Sequence, residues 1–216
     1  MRRIGIMGGT FNPIHNGHLA IAEAAKEQFA LEKVWFMPCG VPYMKEQKEV
    51  LPIDLRCEMT ALAIKDMPCF GLSEIEAADA AQGKNTYTCN TLQKLRQTDR
   101  EAAYYFILGA DSLHAMEDWK NPALIFQNCT VLAAVRRGSH APSQVADADT
   151  ITSLTAQAQY LRDKYHASVE ILEFSGMDIS STQIREKIRS GESLQGLLPE
   201  AVEAYIRQNR LYEKDS

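Results

Sequence analysis

Short apolar runs alternate with longer mixed segments along this chain, and the alternation predicts strands interleaved with helices. Ile4 to Met7 is the first run, brief and nearly uninterrupted, as expected of a strand covered on both faces. Gly8 and Gly9 follow, where a tight turn exposing backbone N–H groups is predicted. Residues 17–30 predict an alanine-rich helix with His18, Ala22, Ala25 and Phe29 on one face. Residues 33–37 give a second strand closed by Pro38, and a strand–helix–strand unit of this length implies a parallel pair. Residues 38–52 predict a long loop carrying Lys45 and Lys48, and residues 53–66 a helix striped by Leu55, Met59, Leu62 and Ala63. A strand over 69–75 and a loop over 77–85 come next, then a helix capped by Thr86 or Thr88. The remaining pattern reads strand 103–108, short helices 112–117 and 121–127, strand 129–135, loop 139–149, helix 150–166 and strand 169–174. A helix opening at Ile179–Arg185 and a last one over 199–208 complete the chain. This is one α/β domain over 1–216 built on a mostly parallel sheet, with the C-terminal helical part from about 178 packed on it.

Composition narrows the classes. The 45% apolar and 24% charged content is that of a globular protein, and the net charge of −5 argues against nucleic acid held on a broad basic surface. Cysteines at 39, 57, 69, 89 and 129 are odd in number with no Cys-x-x-Cys pair, so reduced thiols are expected rather than disulfides or a zinc site. Arg2 and Arg3 precede an apolar run too short for a signal peptide, and no stretch approaches the roughly 18–20 apolar residues of a membrane span. A cytoplasmic protein acting on small molecules, without membrane or nucleic-acid partners, is the expectation; a homo-oligomer is left open.

Candidate chemistry lies at the two ends of the chain. His15 and His18 stand at i, i+3 around Asn16-Gly17, after the first strand and at a helix start, where helix N–H groups and two imidazoles can face one phosphate. Gly5, Gly8 and Gly9 do not make the G-x-G-x-x-G dinucleotide fingerprint. Ser180, Ser181 and Thr182 offer hydroxyls and N–H groups at another helix start, with Arg185 one turn in for bidentate pairing. Asp111 follows a strand end and a glycine, where a carboxylate can accept from ribose hydroxyls or cap a helix.

Gly8-Gly-Thr-Phe-Asn-Pro-Ile-His-Asn-Gly-His18 resembles the opening of the HxGH nucleotidyltransferase superfamily, and Ile179-Ser-Ser-Thr-Gln-Ile-Arg185 resembles its second signature, more than 150 residues away. Within it the chain is most similar to the bacterial nicotinate-mononucleotide adenylyltransferases, nearly end to end. Supporting stretches are Phe36-Met-Pro38, Thr86-Tyr-Thr88, Leu108-Gly-Ala-Asp-Ser112, Trp119 and Arg136-Arg137-Gly138. The resemblance implies a three-layer Rossmann-like domain with helices on both faces of the sheet. It implies ATP and nicotinate mononucleotide as substrates, deamido-NAD and pyrophosphate as products, and Mg2+ arriving with ATP rather than on protein side chains.

His15, His18 and Arg185 then become the catalytic candidates. Gly8, Gly9, Thr10, Phe11, Asp111, Arg136, Ser180, Ser181 and Thr182 become those for ATP. Lys45, Thr86, Tyr87, Thr88 and Trp119 become those for the mononucleotide, Trp119 by stacking on the pyridine. Asn12 stands where the family often carries Asp, and Pro42-Tyr-Met-Lys45 where it usually reads Pro-Pro-His-Lys or Pro-Pro-His-Arg. A related acceptor (nicotinamide mononucleotide or pantetheine phosphate) and a non-catalytic nucleotide-sensing module are the competing readings.

Overall fold

The computed structural model describes residues 1–40, 50–137, 148–175 and 179–213. Six strands, β1 (Arg3–Gly9), β2 (Lys33–Pro38), β3 (Phe70–Leu72), β4 (Ala103–Gly109), β5 (Thr130–Arg137) and β6 (Val169–Ser175), pair in parallel in the order β3-β2-β1-β4-β5-β6. The chain winds outward from β1 to β3 and then crosses to β4 on the other side of β1. That reversal leaves a crevice at the carboxyl ends of β1 and β4, where open parallel sheets bind ligands.

The strands read as apolar runs because both faces are covered, and alternate residues go to opposite cores. Met7, Phe36, Ile107, Leu132 and Leu172 join one core. Ile4, Ile6, Phe106, Val131 and Val135 join the other. The first core is covered by α1 (Asn16–Gln28), α2 (Ile53–Ile64), α8 (Ser181–Ser190) and α9 (Glu200–Gln208), through Ala22, Ala25, Met59, Ile184, Val202 and Ile206. The C-terminal helices therefore supply part of this layer. On the opposite face α4 (Thr88–Thr98), α5 (Ala110–Ala115), α6 (Pro122–Asn128) and α7 (Ala148–Tyr165) contribute Leu92, Leu113, Ile125, Leu154 and Leu161. The result is the three-layer α/β fold expected. No helix among the described residues is long and apolar enough to cross a membrane.

The expected loop over 77–85 is wrong in its first half. Residues Ile75–Ala81 form a helix, α3. Ala77, Ala78, Ala80 and Ala81 favour it by propensity, and Glu76 anchors it from a buried position. The third strand is also shorter than the predicted 69–75.

Candidate functional site

The site begins where β1 ends. Gly8 and Gly9 do not make the predicted turn; both lie within β1, paired opposite Met37 and Pro38 of β2. Their lack of a side chain serves close packing instead: a Cβ on Gly9 would stand 3.0 Å from the Phe11 ring, and one on Gly8 3.0 Å from Phe106. The chain turns at Phe11, in the left-handed region with φ of 48°, and passes through a cis Asn12–Pro13 bond. Phe11 is buried and meets the His18 ring edge-on, with centroids 5.0 Å apart.

His15 is the N-cap of α1, and His18 is its third residue. The two imidazoles stack with centroids 3.7 Å apart. The His15 N–H donates to His18 Nδ1 at 3.2 Å, so in the neutral ring the His18 proton is assigned to Nε2. Burial pushes the His15 pKa down to about 4. Gly17 is dictated by this pair: a Cβ there would stand 3.1 Å from His15 Nδ1.

A pH dependence of stability follows. Unfolded His15 takes up a proton near pH 6.5, but the folded ring resists protonation down to about 4. The unfolded chain therefore binds more protons, and stability falls as pH drops from 6.5 towards 4, by about 3 kcal/mol for this residue. His15→Gln is expected to flatten that part of the acid limb in urea titrations. Parallel wild-type and variant curves would contradict it.

The two distant motifs meet at Asn12–Pro13. Ser181 Oγ donates to the Pro13 carbonyl at 2.9 Å, and Arg185 Nη1 donates to the Asn12 carbonyl at 3.0 Å. Ser180 caps α8 in a reciprocal arrangement: its Oγ accepts from Gln183 N–H at 3.2 Å while Gln183 Oε1 accepts from Ser180 N–H. Thr182 Oγ1 accepts from Arg185 Nη2 at 3.4 Å. Ser181 was expected to donate to phosphate, but its hydroxyl proton is directed to Pro13; its lone pairs and the exposed Ser180 and Thr182 remain at the helix start.

Three further residues hold this junction, and sequence reasoning did not foresee them in that role. Arg56, 1% exposed, donates to four carbonyls: Leu51 (2.9 Å), Thr10 (2.8 Å), Cys39 (2.8 Å) and Gly40 (3.2 Å). A buried guanidinium held by carbonyl dipoles ties the chain after β1 to the chain after β2. Asn12 Oδ1 accepts from Leu51 N–H at 3.2 Å and from Tyr212 O–H at 2.9 Å. Burial pushes the Tyr212 phenol up, keeping it a donor. A neutral amide at position 12 suffices for both bonds.

Across the crevice, Thr86 is buried and Thr88 half-buried, but neither caps α4; the N-cap is Tyr87, with no side-chain capping bond. The Thr86 hydroxyl instead hydrogen-bonds the Glu76 carboxylate, which also accepts from Gly40 N–H at 3.2 Å and Thr91 Oγ1 at 3.0 Å. Burial pushes the Glu76 carboxyl above its ordinary value, partly offset by these three donors. Asp111 is exposed in the first turn of α5, whose N-cap is Gly109 at the end of β4. Trp119 is half-buried, edge-on to Phe106 at 6.2 Å, with a buried indole N–H that has no hydrogen-bond partner among the described residues. Arg136 lies near the carboxyl end of β5, and nothing is described of its side chain. Lys45 and the Pro42–Lys45 stretch lie outside the described residues. Among the described residues no three His, Cys, Asp or Glu side chains are grouped to hold a metal ion.

Comparison with known proteins identifies relatives of the chain. The cytidylyltransferase-like family model matches residues 6–187. A probable nicotinate-nucleotide adenylyltransferase of Lachnoclostridium phytofermentans is 38% identical over 98% of this chain and 100% of its own length. A protein of the same name from Geotalea daltonii is 39% identical over 97% of this chain and 98% of its own. Among solved structures, the Plasmodium falciparum nicotinic acid mononucleotide adenylyltransferase complexed with NaAD superposes with a TM-score of 0.74 at 16% identity, covering 98% of each chain, which supports the fold. With the family model spanning most of its length and full-length relatives well above 30% identity, the chain belongs to the cytidylyltransferase-like family, alongside the nicotinate-nucleotide adenylyltransferases.

Proposed function

We propose that this protein transfers the adenylyl group of ATP to nicotinate mononucleotide, forming deamido-NAD and pyrophosphate, a step of NAD biosynthesis. The observation that carries the reading is the junction at Asn12–Pro13. It brings His15 and His18 at the start of α1 together with Ser181 and Arg185 of α8, beside the carboxyl end of β1. The full-length similarity to nicotinate-nucleotide adenylyltransferases supports the choice of acceptor.

The acceptor phosphate is already ionised, so its oxygen attacks the α-phosphorus without a general base. One phosphorus–oxygen bond forms as the bond to the β-phosphate breaks, and pyrophosphate leaves with the electron pair. What the protein supplies is alignment and neutralisation of charge. His18 Nε2–H is the donor to the α-phosphate. Neutral His15 donates alongside it, and Arg185 with the start of α8 takes the departing phosphates. Gly8, Gly9, Thr10 and Phe11 shape the triphosphate side, Asp111 accepts from the ribose, and Arg136 adds a cation.

On the acceptor side, Thr86, Tyr87 and Thr88 face the pyridine carboxylate, Trp119 covers the ring, and Lys45 serves the mononucleotide phosphate. Mg2+ would be held mainly by the triphosphate oxygens and water, the hard oxygen ligands it prefers. When bound it neutralises phosphate charge.

Steady-state pyrophosphate release with ATP, Mg2+ and each of three acceptors tests the assignment. Nicotinate mononucleotide is expected to give the highest kcat/KM, ahead of nicotinamide mononucleotide and pantetheine phosphate. A higher value for either alternative would overturn the acceptor, and ATP binding without release would overturn the enzyme.

A further inference from the structure

The geometry points to Glu76 as a positioning residue for the acceptor mononucleotide: its buried carboxylate locks Thr86, at the start of the acceptor segment, to Gly40, at the end of β2 beside the phosphate-side turn. The inference rests on the acceptor role of Thr86–Thr88 proposed above.

Glu76 is 4% exposed and gathers three donors from two stretches of the chain, Gly40 after β2 and Thr86 and Thr91 at the start of α4. Gly40 N–H reaches Oε2 at 3.2 Å, Thr91 Oγ1 reaches Oε1 at 3.0 Å, and the Thr86 hydroxyl completes the set. Gly40 is itself held from the opposite side, where its carbonyl accepts from Arg56 Nη2 at 3.2 Å. The same guanidinium holds the Thr10 carbonyl through Nη1 at 2.8 Å. The Gly40 residue is thus fixed between a buried cation that grips the phosphate side and a buried anion that grips the acceptor side.

The approach is tight enough to demand glycine. A Cβ at 40 would stand 2.7 Å from the Glu76 carbonyl oxygen and 2.7 Å from Thr86 Cγ2. Thr91 adds a second restraint on the segment, since its hydroxyl also lies 3.3 Å from the Tyr87 carbonyl. A carboxylate buried at the cost of desolvation, whose donors all belong to this contact, is placed there to hold geometry. Glu76 touches no substrate; it acts through Thr86 and Gly40.

The side chains of glutamine and aspartate separate this role from simple packing. Glutamine keeps the length and can direct its amide oxygen to Gly40 N–H, while its NH2 meets hydroxyls that can turn to accept. Aspartate keeps the charge but is one methylene too short to span both contacts.

Initial rates are measured for Glu76→Gln, Glu76→Asp and Glu76→Ala with ATP and nicotinate mononucleotide varied in turn, alongside thermal melts. Glu76→Asp and Glu76→Ala are expected to raise the KM for the mononucleotide by about tenfold, the effect of one lost hydrogen bond to a charged group. The KM for ATP should stay within about twofold, and Glu76→Gln should remain near wild type in both. If Glu76→Ala does not fold, the aspartate and glutamine variants decide alone.

An unchanged mononucleotide KM in the aspartate variant overturns the inference. So do equal rises in both KM values, or a glutamine variant as impaired as aspartate. Wild-type protein that shows no turnover with nicotinate mononucleotide overturns the function itself, a result distinct from any of these.

Discussion

His18→Ala lowers kcat for adenylyl transfer by roughly 10²–10³, the loss found when one donor to developing transition-state charge is removed. Three contacts make this ring the strongest candidate. The His15 N–H saturates Nδ1, leaving Nε2 as the donating end, and Phe11 packs edge-on against the ring to fix its plane. His15 stacks on it at 3.7 Å and is itself held neutral by burial to about pH 4. With Nδ1 committed to the His15 backbone N–H, the neutral His18 ring presents Nε2–H as its single donor to phosphate. The expected signature is a fall in kcat with ATP affinity nearly retained. A variant that loses only KM would show that His18 binds ground-state ATP and contributes nothing specific to the transition state.

Arg56→Met destabilises the fold by about 3–5 kcal/mol, because the carbonyls of Thr10, Cys39, Gly40 and Leu51 lose their donor together in a buried setting. That is a large share of a typical total of about 5–15 kcal/mol. Arg56→Lys recovers little of it, since one ammonium cannot reproduce the fork that reaches four separated oxygens. Urea midpoints with unchanged m-values measure the effect. A methionine variant within about 1 kcal/mol of wild type would mean that water or rearranged backbone satisfies those carbonyls.

The sheet was legible in the sequence because strands covered on both faces, such as Ala103–Gly109 and Thr130–Arg137, need near-continuous apolar runs. The pairing of His15 and His18 with Ser181 and Arg185 was legible through motif spacing and resemblance. What escaped were features set by tertiary contact. The turn assigned to Gly8 and Gly9 belongs to Phe11, whose left-handed backbone is fixed by burial of its ring; a phenylalanine carries no local signal for that. The cap assigned to Thr86 or Thr88 failed because Glu76 of the preceding helix takes the Thr86 hydroxyl, while Thr88 is already the first residue of α4. Arg56 drew no attention in the sequence, since an arginine between Asp54 and Glu58 on a helix gives no local sign of burial. Tyr212 gave no sign, from near the chain end, of bonding Asn12.

One measurement bears most directly on adenylyl transfer at the junction of the two motifs: quantifying pyrophosphate and deamido-NAD together, with ATP and Mg2+, in the presence and absence of nicotinate mononucleotide. The two products are expected in equal amounts, and neither without the mononucleotide, as direct attack on the α-phosphorus requires. Pyrophosphate released without acceptor, or ATP bound with no product formed when acceptor is present, would contradict the account.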